Sequence, residues 1–161
     1  MMKDGQVVQI GTPEEIILAP TNHYVKQFIE NVDKSKVLTV NAILTQNHHI
    51  IAYPDNKPDT VLLQFRKENL PYLFVVQRDN TLIGIVQREA VRNAVERGDK
   101  SIANLIQENI PTVTGTTPLK TLIALLAKWS GPLPVVDNSR KVQGMVDSHS
   151  VLVVLAETEK D

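Results

Sequence analysis

Few residues in this sequence have types and spacing that could support catalysis. The run Thr114–Thr117 contains small and hydroxyl-bearing residues, but it lacks the lysine and the second glycine of a phosphate-binding loop. His48 and His49 are adjacent, whereas paired metal ligands usually alternate along a strand or recur one turn apart on a helix. The sequence has no cysteine, no Gly-x-Ser-x-Gly elbow and no His-Glu-x-x-His motif. These residues therefore predict no catalytic or metal site and favour a plain polar loop at the two histidines.

Two other positions are suited to an anion, and each lies where an apolar run leads into a helix-like stretch. The first reads Gly84-Ile85-Val86-Gln87-Arg88-Glu89-Ala90, and the second reads Gly144-Met145-Val146-Asp147-Ser148-His149-Ser150. Backbone N–H groups at a helix N-terminus attract negative charge. Both stretches also suit ordinary helix N-caps, with Asp147 the stronger cap and Gln87 the weaker. Arg88 and Arg92 are four residues apart and share a helix face. That face is either an ordinary solvent-exposed surface or a basic patch that faces an anion or a lipid.

The two positions belong to an internal duplication. Gly84 and Gly144 are 144 − 84 = 60 residues apart, and residues 73–86 and 133–146 share one pattern of apolar run, polar turn and apolar run. That pattern predicts a β-hairpin in each copy. Identical residues recur at the same offset: Ile50/Ile110, Leu62/Leu122, Leu73/Leu133, Val75/Val135, Val76/Val136, Val86/Val146 and Val91/Val151. A single offset for so many matches indicates two copies of one unit.

The bulk composition is that of an ordinary globular protein. The chain has 161 residues, of which 42% are hydrophobic and 22% charged, with a net charge of −1. This charge gives no general attraction to nucleic acid. No apolar run approaches the ~20 residues that span a bilayer, and Asp4 and Gly5 interrupt any signal peptide. We therefore expect no nucleic-acid partner and no membrane span.

The first 36 residues differ from the repeats. Thr12, Pro13 and Glu15 predict a capped helix that stops at Pro20, after a short strand that leaves the turn at Asp4-Gly5. Tyr24, Val25, Phe28 and Ile29 form the apolar stripe of a second helix. This stretch is too short for its own core. Its stripe must therefore face either an absent domain or the body of the protein, and we expect it to be less protected than the repeats.

Each repeat predicts the order βαββα. The first begins with an apolar segment at Val40, Ile43 and Leu44, followed by a strand near Ile50 and a helix opened by Pro58. Neither unit is large enough to bury a sheet face well alone, so the two should pack through their sheets. We predict an α+β fold with boundaries at residues 1–36, 37–98 and 99–158. The acidic residues 157–161 are expected to fray.

The repeat closely resembles a CBS domain, and the pair resembles a Bateman module, in its Leu-x-Val-Val core and the later Gly-x-Val. The stretch Met2–Ile16 is similar to the end of an ABC-transporter ATPase domain. Their fusion resembles the ATP-binding subunit of glycine betaine/proline (quaternary amine) importers. The resemblance implies a homodimer, an ATPase domain and a membrane permease as partners. It places the chain in the cytoplasm at the inner face of the membrane, whereas the chain itself lacks the ATPase motifs.

The resemblance also implies where a ligand would bind. Nucleotide-binding CBS domains read Gly-x-x-[Thr/Ser]-x-x-Asp, in which the Asp holds the ribose hydroxyls. Ala90 and Ser150 replace that Asp here, and Asp147 would repel a phosphate. We therefore expect no cofactor and weak binding of AMP or ATP, with cyclic di-AMP favoured as a regulatory nucleotide. The candidate contacts are Tyr72, Leu73, Gln87, Arg88, Val113, Leu133, Met145, Asp147 and Ser148.

Two functional hypotheses remain open from the sequence, and the first has two alternative effectors. The module regulates an osmoprotectant importer (for glycine betaine, proline, carnitine or choline) in response to ionic strength or to a nucleotide. Alternatively, it is a dimerisation module that senses nothing. Apolar helix positions Leu122, Leu125, Leu126 and Trp129 suggest a surface for pairing two copies.

Overall fold

The structure is a computed structural model that describes residues 1–46 and 50–156. The predictions for His48, His49 and residues 157–161 lie outside that range. Seven helices and seven short strands are described: β1 (Met2–Lys3), β2 (Gln6–Val7), α1 (Pro13–Leu18), α2 (His23–Glu30), α3 (Lys34–Val37), β3 (Ile51–Ala52), α4 (Pro58–Glu68), β4 (Tyr72–Val76), β5 (Leu82–Gln87), α5 (Arg88–Arg97), α6 (Leu119–Leu126), β6 (Leu133–Val136), β7 (Val142–Val146) and α7 (Ser148–Ala156). Short 3₁₀ turns cover Val40–Ala42 and Ala103–Leu105.

The predicted capping box of α1 is confirmed. The Thr12 side chain accepts a hydrogen bond from the Glu15 backbone N–H (3.2 Å), and the Glu15 carboxylate accepts one from the Thr12 N–H (2.7 Å). These reciprocal bonds satisfy two donors that the start of a helix leaves unpaired. Upstream, Asp4 and Gly5 both have positive φ and form the turn between β1 and β2.

The predicted duplication is confirmed strand by strand. Val75 pairs with Gly84 in the first antiparallel hairpin, and Val135 pairs with Gly144 in the second. Both hairpins shift register at the following residue, and both turns end on a residue with positive φ, at 80 and 140. In the first sheet β3 runs parallel to β4, whereas in the second repeat this pairing is reduced to a bridge between Val113 and Val135.

The segments that precede the repeats are exchanged between them. Val40 and Ile43 are buried in the core of the second repeat, and Ile102 is buried in the core of the first. Backbone hydrogen bonds fix the exchange, with Thr45 paired to Met145 and Gln107 paired to Ile85. Residues 40–44 thus open the first repeat in sequence, as predicted, whereas in space they pack in the core of the second.

The two hairpins meet at their turns with approximate twofold symmetry. The Leu82 N–H donates to the Arg140 carbonyl (2.9 Å), and the equivalent Val142 N–H donates to the Asn80 carbonyl (3.0 Å). These positions are related by the offset of 60 residues. Val136 and Val142 of the second hairpin also contact the core of the first repeat. The predicted α+β body of two packed repeats is therefore present.

The N-terminal helices dock on the second repeat rather than remaining free. Ile17 and Ile29 belong to its core, and Val25 is fully buried. Phe28, from the same predicted stripe, is 60% exposed. Other large apolar side chains exposed in this region are Met2, Val7, Ile10 and Leu18. The body of the protein thus buries part of the apolar stripe. The lower protection from hydrogen exchange that we predicted for this segment stays a prediction.

The second repeat has an exposed apolar helix surface, but residues other than the predicted ones form most of it. Leu122 is fully buried in the core, and Trp129 packs against both cores instead of facing outward. The exposed apolar residues nearby are Ile123, Leu152 and Val153. No helix among the residues described is long and apolar enough to cross a membrane.

Candidate functional site

A cleft with a volume of about 610 Å³ lies between the two repeats, beside the start of α5. The first repeat contributes Tyr72 and the junction of β5 with α5, while the second contributes the loop after α6. The side chains that line it include Tyr72, Ile85, Gln87, Arg88, Glu89, Arg92, Gln107 and Trp129. Two guanidinium groups and one carboxylate give this lining a charge of +2 − 1 = +1. The lining is therefore weakly cationic, and its carboxylate, Glu89, lies 3.6 Å from the Arg92 guanidinium as an ion pair.

One wall of the cleft is an aromatic contact between the repeats. The Trp129 indole N–H donates to the Tyr72 hydroxyl (2.6 Å), and that hydroxyl donates to the Pro132 carbonyl. The two rings meet nearly edge to face, with centroids 6.0 Å apart. Gly131 has a φ of +115°, and a Cβ at this position would lie 2.8 Å from the Tyr72 ring. The Tyr72 side chain is thus held in place by three residues of the second repeat.

Burial raises the pKa of Tyr72 to about 12, although the hydrogen bond from Trp129 acts in the opposite direction. Only 4% of this residue is exposed. The phenol is therefore neutral at physiological pH and serves as a donor and acceptor, not as a base.

Arg88 lines the cleft, but its guanidinium is partly committed to the protein. Its Nη2 donates to the carbonyls of Phe65 (3.1 Å) and Leu70 (3.0 Å), at the C-terminal end of α4. The guanidinium also lies 5.6 Å from the centre of the Phe65 ring. A cation is well placed there because it meets the negative end of the α4 dipole. Arg88 consequently fixes α4 to α5, and Arg92 is the more exposed of the two cations.

The start of α5 lies beside the cleft, and its first N–H group, that of Arg88, donates to the Pro71 carbonyl (3.3 Å). Gln87 occupies the N-cap position without any side-chain hydrogen bond to the helix. Its amide instead lies 3.4 Å from the Gln107 side chain, across the cleft. The weak cap predicted from the sequence is therefore confirmed, and the first N–H groups of α5 are not satisfied by a capping side chain.

The equivalent position in the second repeat is closed by its own cap. The Asp147 carboxylate accepts hydrogen bonds from the Ser150 N–H and hydroxyl, both at 2.8 Å. This confirms Asp147 as the stronger N-cap. The carboxylate occupies the donors that an anion would need, so the second junction is a poorer anion site than the first.

The structure brings only part of the predicted site together. Tyr72, Gln87 and Arg88 line the cleft, whereas Leu73 and Leu133 are fully buried in the two cores. The remaining predicted contacts lie elsewhere: Val113 in the second core, Met145 packed on the first core, Asp147 at the α7 cap, and Ser148 beside an apolar groove between α6 and α7. Among the residues described, no cluster of His, Cys, Asp or Glu could hold a metal ion.

The pattern of repeats, crossing segments and paired hairpins agrees with the comparison to family models. The CBS domain model matches residues 36–97 and again residues 102–157. The chain belongs to the CBS-domain family. It carries two CBS domains, and the cleft lies between them.

Relatives extend the similarity beyond the CBS pair. The glycine betaine/carnitine transport ATP-binding protein GbuA of Listeria monocytogenes is 33% identical over 159 residues, or 99% of this chain. The glycine betaine transport ATP-binding protein OpuAA of Bacillus subtilis is 31% identical over 97% of it. These alignments cover 40% and 37% of the two relatives, so the chain spans about two fifths of their length.

Solved structures show the same fold at low identity. Staphylococcus aureus OpuCA is 22% identical with a TM-score of 0.61, covering 73% of this chain and 98% of that one. CbpB in complex with c-di-AMP is 13% identical with a TM-score of 0.71, covering 83% and 94%. CBSX2 in complex with AMP is 22% identical with a TM-score of 0.65, covering 76% and 99%. CBS pairs of this fold thus bind different nucleotides.

Proposed function

We propose that this CBS pair is the regulatory, C-terminal part of the ATP-binding subunit of an osmoprotectant importer. One observation supports this above the others. The CBS model begins at residue 36, yet the alignment with a betaine/carnitine transport ATP-binding protein covers 99% of the chain. The similarity therefore includes residues that a free-standing CBS pair does not need. The transported solute belongs to the class of glycine betaine, proline, carnitine and choline.

The N-terminal segment has the surface that this function requires. One side is buried in the second repeat through Ile17 and Ile29, while Ile10, Leu18 and Phe28 are exposed on it. Exposed apolar side chains in a short docked segment fit a contact with a neighbouring domain. We propose that the ATPase domain supplies this contact and that the complex sits at the cytoplasmic face of the membrane with its permease.

Regulation of transport needs little free energy from such a module. A tenfold change in ATPase activity corresponds to a coupling of ~1.4 kcal/mol between the effector and the active state. A few altered contacts between the CBS pair and the ATPase domain supply this amount. Ionic strength is one effector, because raising salt from 0.1 M to 1 M shortens the Debye length from ~10 Å to ~3 Å and weakens surface charge contacts.

A nucleotide is the other effector, and the cleft supports it. Its lining combines net positive charge, an uncapped helix start and the aromatic side chain of Trp129. Ala90 stands where nucleotide-binding CBS domains carry the ribose-binding Asp. The loss of such a partner costs ~2–3 kcal/mol, or roughly a hundredfold in affinity. We therefore propose weak binding of AMP and ATP, and we favour cyclic di-AMP.

Calorimetric titration with AMP, ATP and cyclic di-AMP at fixed salt tests the nucleotide proposal. Ala90→Asp should strengthen AMP binding, and Ser150→Asp is the matched control because Asp147 already fills that junction. Micromolar binding of AMP or ATP to the unchanged chain contradicts the argument from Ala90. An unaltered affinity in Ala90→Asp contradicts the assignment of the cleft.

The importer proposal is tested on the intact subunit. DNA upstream of the Met2 codon should encode a phosphate-loop ATPase in frame. In proteoliposomes with the permease, deletion of residues 37–158 should abolish the response of transport to internal salt or cyclic di-AMP. Identical responses with and without these residues would reject regulation.

A dimerisation module without sensing is the second candidate, and the surface of α6 and α7 favours pairing of two copies. Ile123, Leu152 and Val153 are 38%, 64% and 38% exposed, beside a groove of about 360 Å³ between these helices. The outer face of α5 instead carries charged residues. We propose a homodimer through α6 and α7, which is compatible with either function. If deletion of residues 37–158 lowers subunit pairing without changing the response of transport to salt or nucleotide, this second candidate is favoured.

A further inference from the structure

Helix α6 connects two regions that the sequence gives no reason to link. At its first residue, the Leu119 N–H donates to the Leu38 carbonyl (2.9 Å), and just before the helix the Thr117 carbonyl accepts a hydrogen bond from the Val40 N–H (2.9 Å). Beyond its last turn, Trp129 donates to Tyr72 in the wall of the cleft. The helix has eight residues and is therefore about 12 Å long. One short element thus joins the cleft to the N-terminal part of the chain.

The N-terminal part is attached at the same point by further contacts. The Glu14 carboxylate accepts hydrogen bonds from the Thr39 N–H and hydroxyl, both at 3.0 Å. Ile17 and Ile29 share a hydrophobic core with Leu119. Residues 12–40 are therefore a continuous segment that packs on the second repeat, and α6 contacts this segment through Leu119.

We propose that α6 couples the cleft to residues 12–40, so that a change at Trp129 alters how tightly this unit is held. Leu119 and Leu122 are fully buried, and a close-packed helix of two turns shifts as one body. A ligand that repositions Trp129 would thus alter the hydrogen bonds of Leu38 and Thr39. The inference deepens the proposed function, since under that function residues 12–40 lead to the ATPase domain.

The duplication supplies an internal reference for this coupling. In the first repeat, the equivalent crossing contact is the hydrogen bond from the Ile102 N–H to the Asn56 carbonyl (3.1 Å). Ile102 belongs to the same core as Tyr72, and no α6 residue takes part in that bond. A perturbation carried by α6 should therefore affect Val40 and Leu119 more than Ile102. A perturbation that simply loosens the first core should do the reverse.

Amide hydrogen exchange measured by NMR on the complete chain tests the proposal. Tyr72→Phe removes the acceptor for the Trp129 N–H and the donor for the Pro132 carbonyl. Exchange at Thr39, Val40 and Leu119 should accelerate about tenfold relative to Ile102, the effect of one lost hydrogen bond. Trp129→Phe, which keeps the apolar contact but removes the indole N–H, should act in the same direction.

Equal acceleration at Val40 and Ile102, or none at Val40 in either variant, overturns the coupling. Neither a nucleotide nor a transporter enters this experiment. The importer function can therefore fail while the coupling holds, and the coupling can fail while the importer function stands.

Discussion

The exchange of segments between the repeats makes a quantitative prediction about Gly84 and Gly144. A Cβ on Gly84 would lie 2.8 Å from the carbonyl carbon of Gln107 and 2.9 Å from the Cα of Glu108. Both are backbone atoms, so no side-chain rotation relieves the overlap. The two hydrogen bonds between Ile85 and Gln107, at 2.9 and 3.0 Å, would have to lengthen. Overpacking costs about 1–3 kcal/mol, and each lost bond costs about 1 kcal/mol.

We therefore expect Gly84→Ala to lower the free energy of unfolding by roughly 2–5 kcal/mol. Gly144→Ala should cost a similar amount, because its Cβ would meet the Thr45 carbonyl in the same way. Gly98→Ala is the control. Its φ is +75° but nothing lies within 4 Å, so about 1 kcal/mol of backbone strain is expected. Urea unfolding followed by circular dichroism measures all three, and a Gly84→Ala protein no less stable than Gly98→Ala refutes the reasoning.

Three further predictions concern Tyr72, the two helix caps and the apolar helix surface. Burial raises the pKa of Tyr72 from 10.0 to about 12. The stability that the neutral phenol confers is therefore complete below pH 10 and is lost as pH rises through 12. Tyr72→Phe should remove this loss, which is roughly 2–3 kcal/mol in the free energy of unfolding measured at alkaline pH. Asp147→Ala should lower the free energy of unfolding by about 1 kcal/mol, whereas Gln87→Ala at the equivalent position should be nearly neutral. Leu152→Glu should convert a dimer to a monomer in sedimentation at roughly tens of micromolar.

Each of these predictions has a result that would contradict it. Alkaline unfolding curves of the same shape for the parent and Tyr72→Phe would show that burial of the phenol does not set its ionisation. Equal losses in Asp147→Ala and Gln87→Ala would mean that the two caps do not differ. A monomeric parent protein, or a dimeric Leu152→Glu protein, would exclude pairing through α6 and α7.

Local features of the fold were predictable because they depend on neighbouring residues. The Thr12–Glu15 capping box and the hairpin at Val75 and Gly84 each follow from residue types a few positions apart. The exchange of Val40 and Ile102 was not predictable. An apolar pattern shows that a side chain is buried, but it does not show which repeat buries it.

The candidate site was predictable only in part, for the same reason. Gln87 and Arg88 were found because the start of a helix has a recognisable sequence pattern. Trp129 and Gln107 were missed, since the first follows α6 in the other repeat and the second arrives through the exchange. No local signal marks either residue. Leu73 and Leu133, which we also predicted as ligand contacts, are fully buried in the two cores, because strand ends and strand interiors look alike in sequence.

The exchanged segments also have a consequence for synthesis on the ribosome. Val40 finds its hydrogen-bond partner only when Thr117 has been made, which is 117 − 40 = 77 residues later. At about 5–20 residues per second, this delay is roughly 4–15 s. During that time Ile17, Leu38 and Val40 have no second core to enter, although they are buried in the finished protein. The nascent chain therefore presents a transient apolar surface to chaperones, and it lasts until most of the second repeat has emerged.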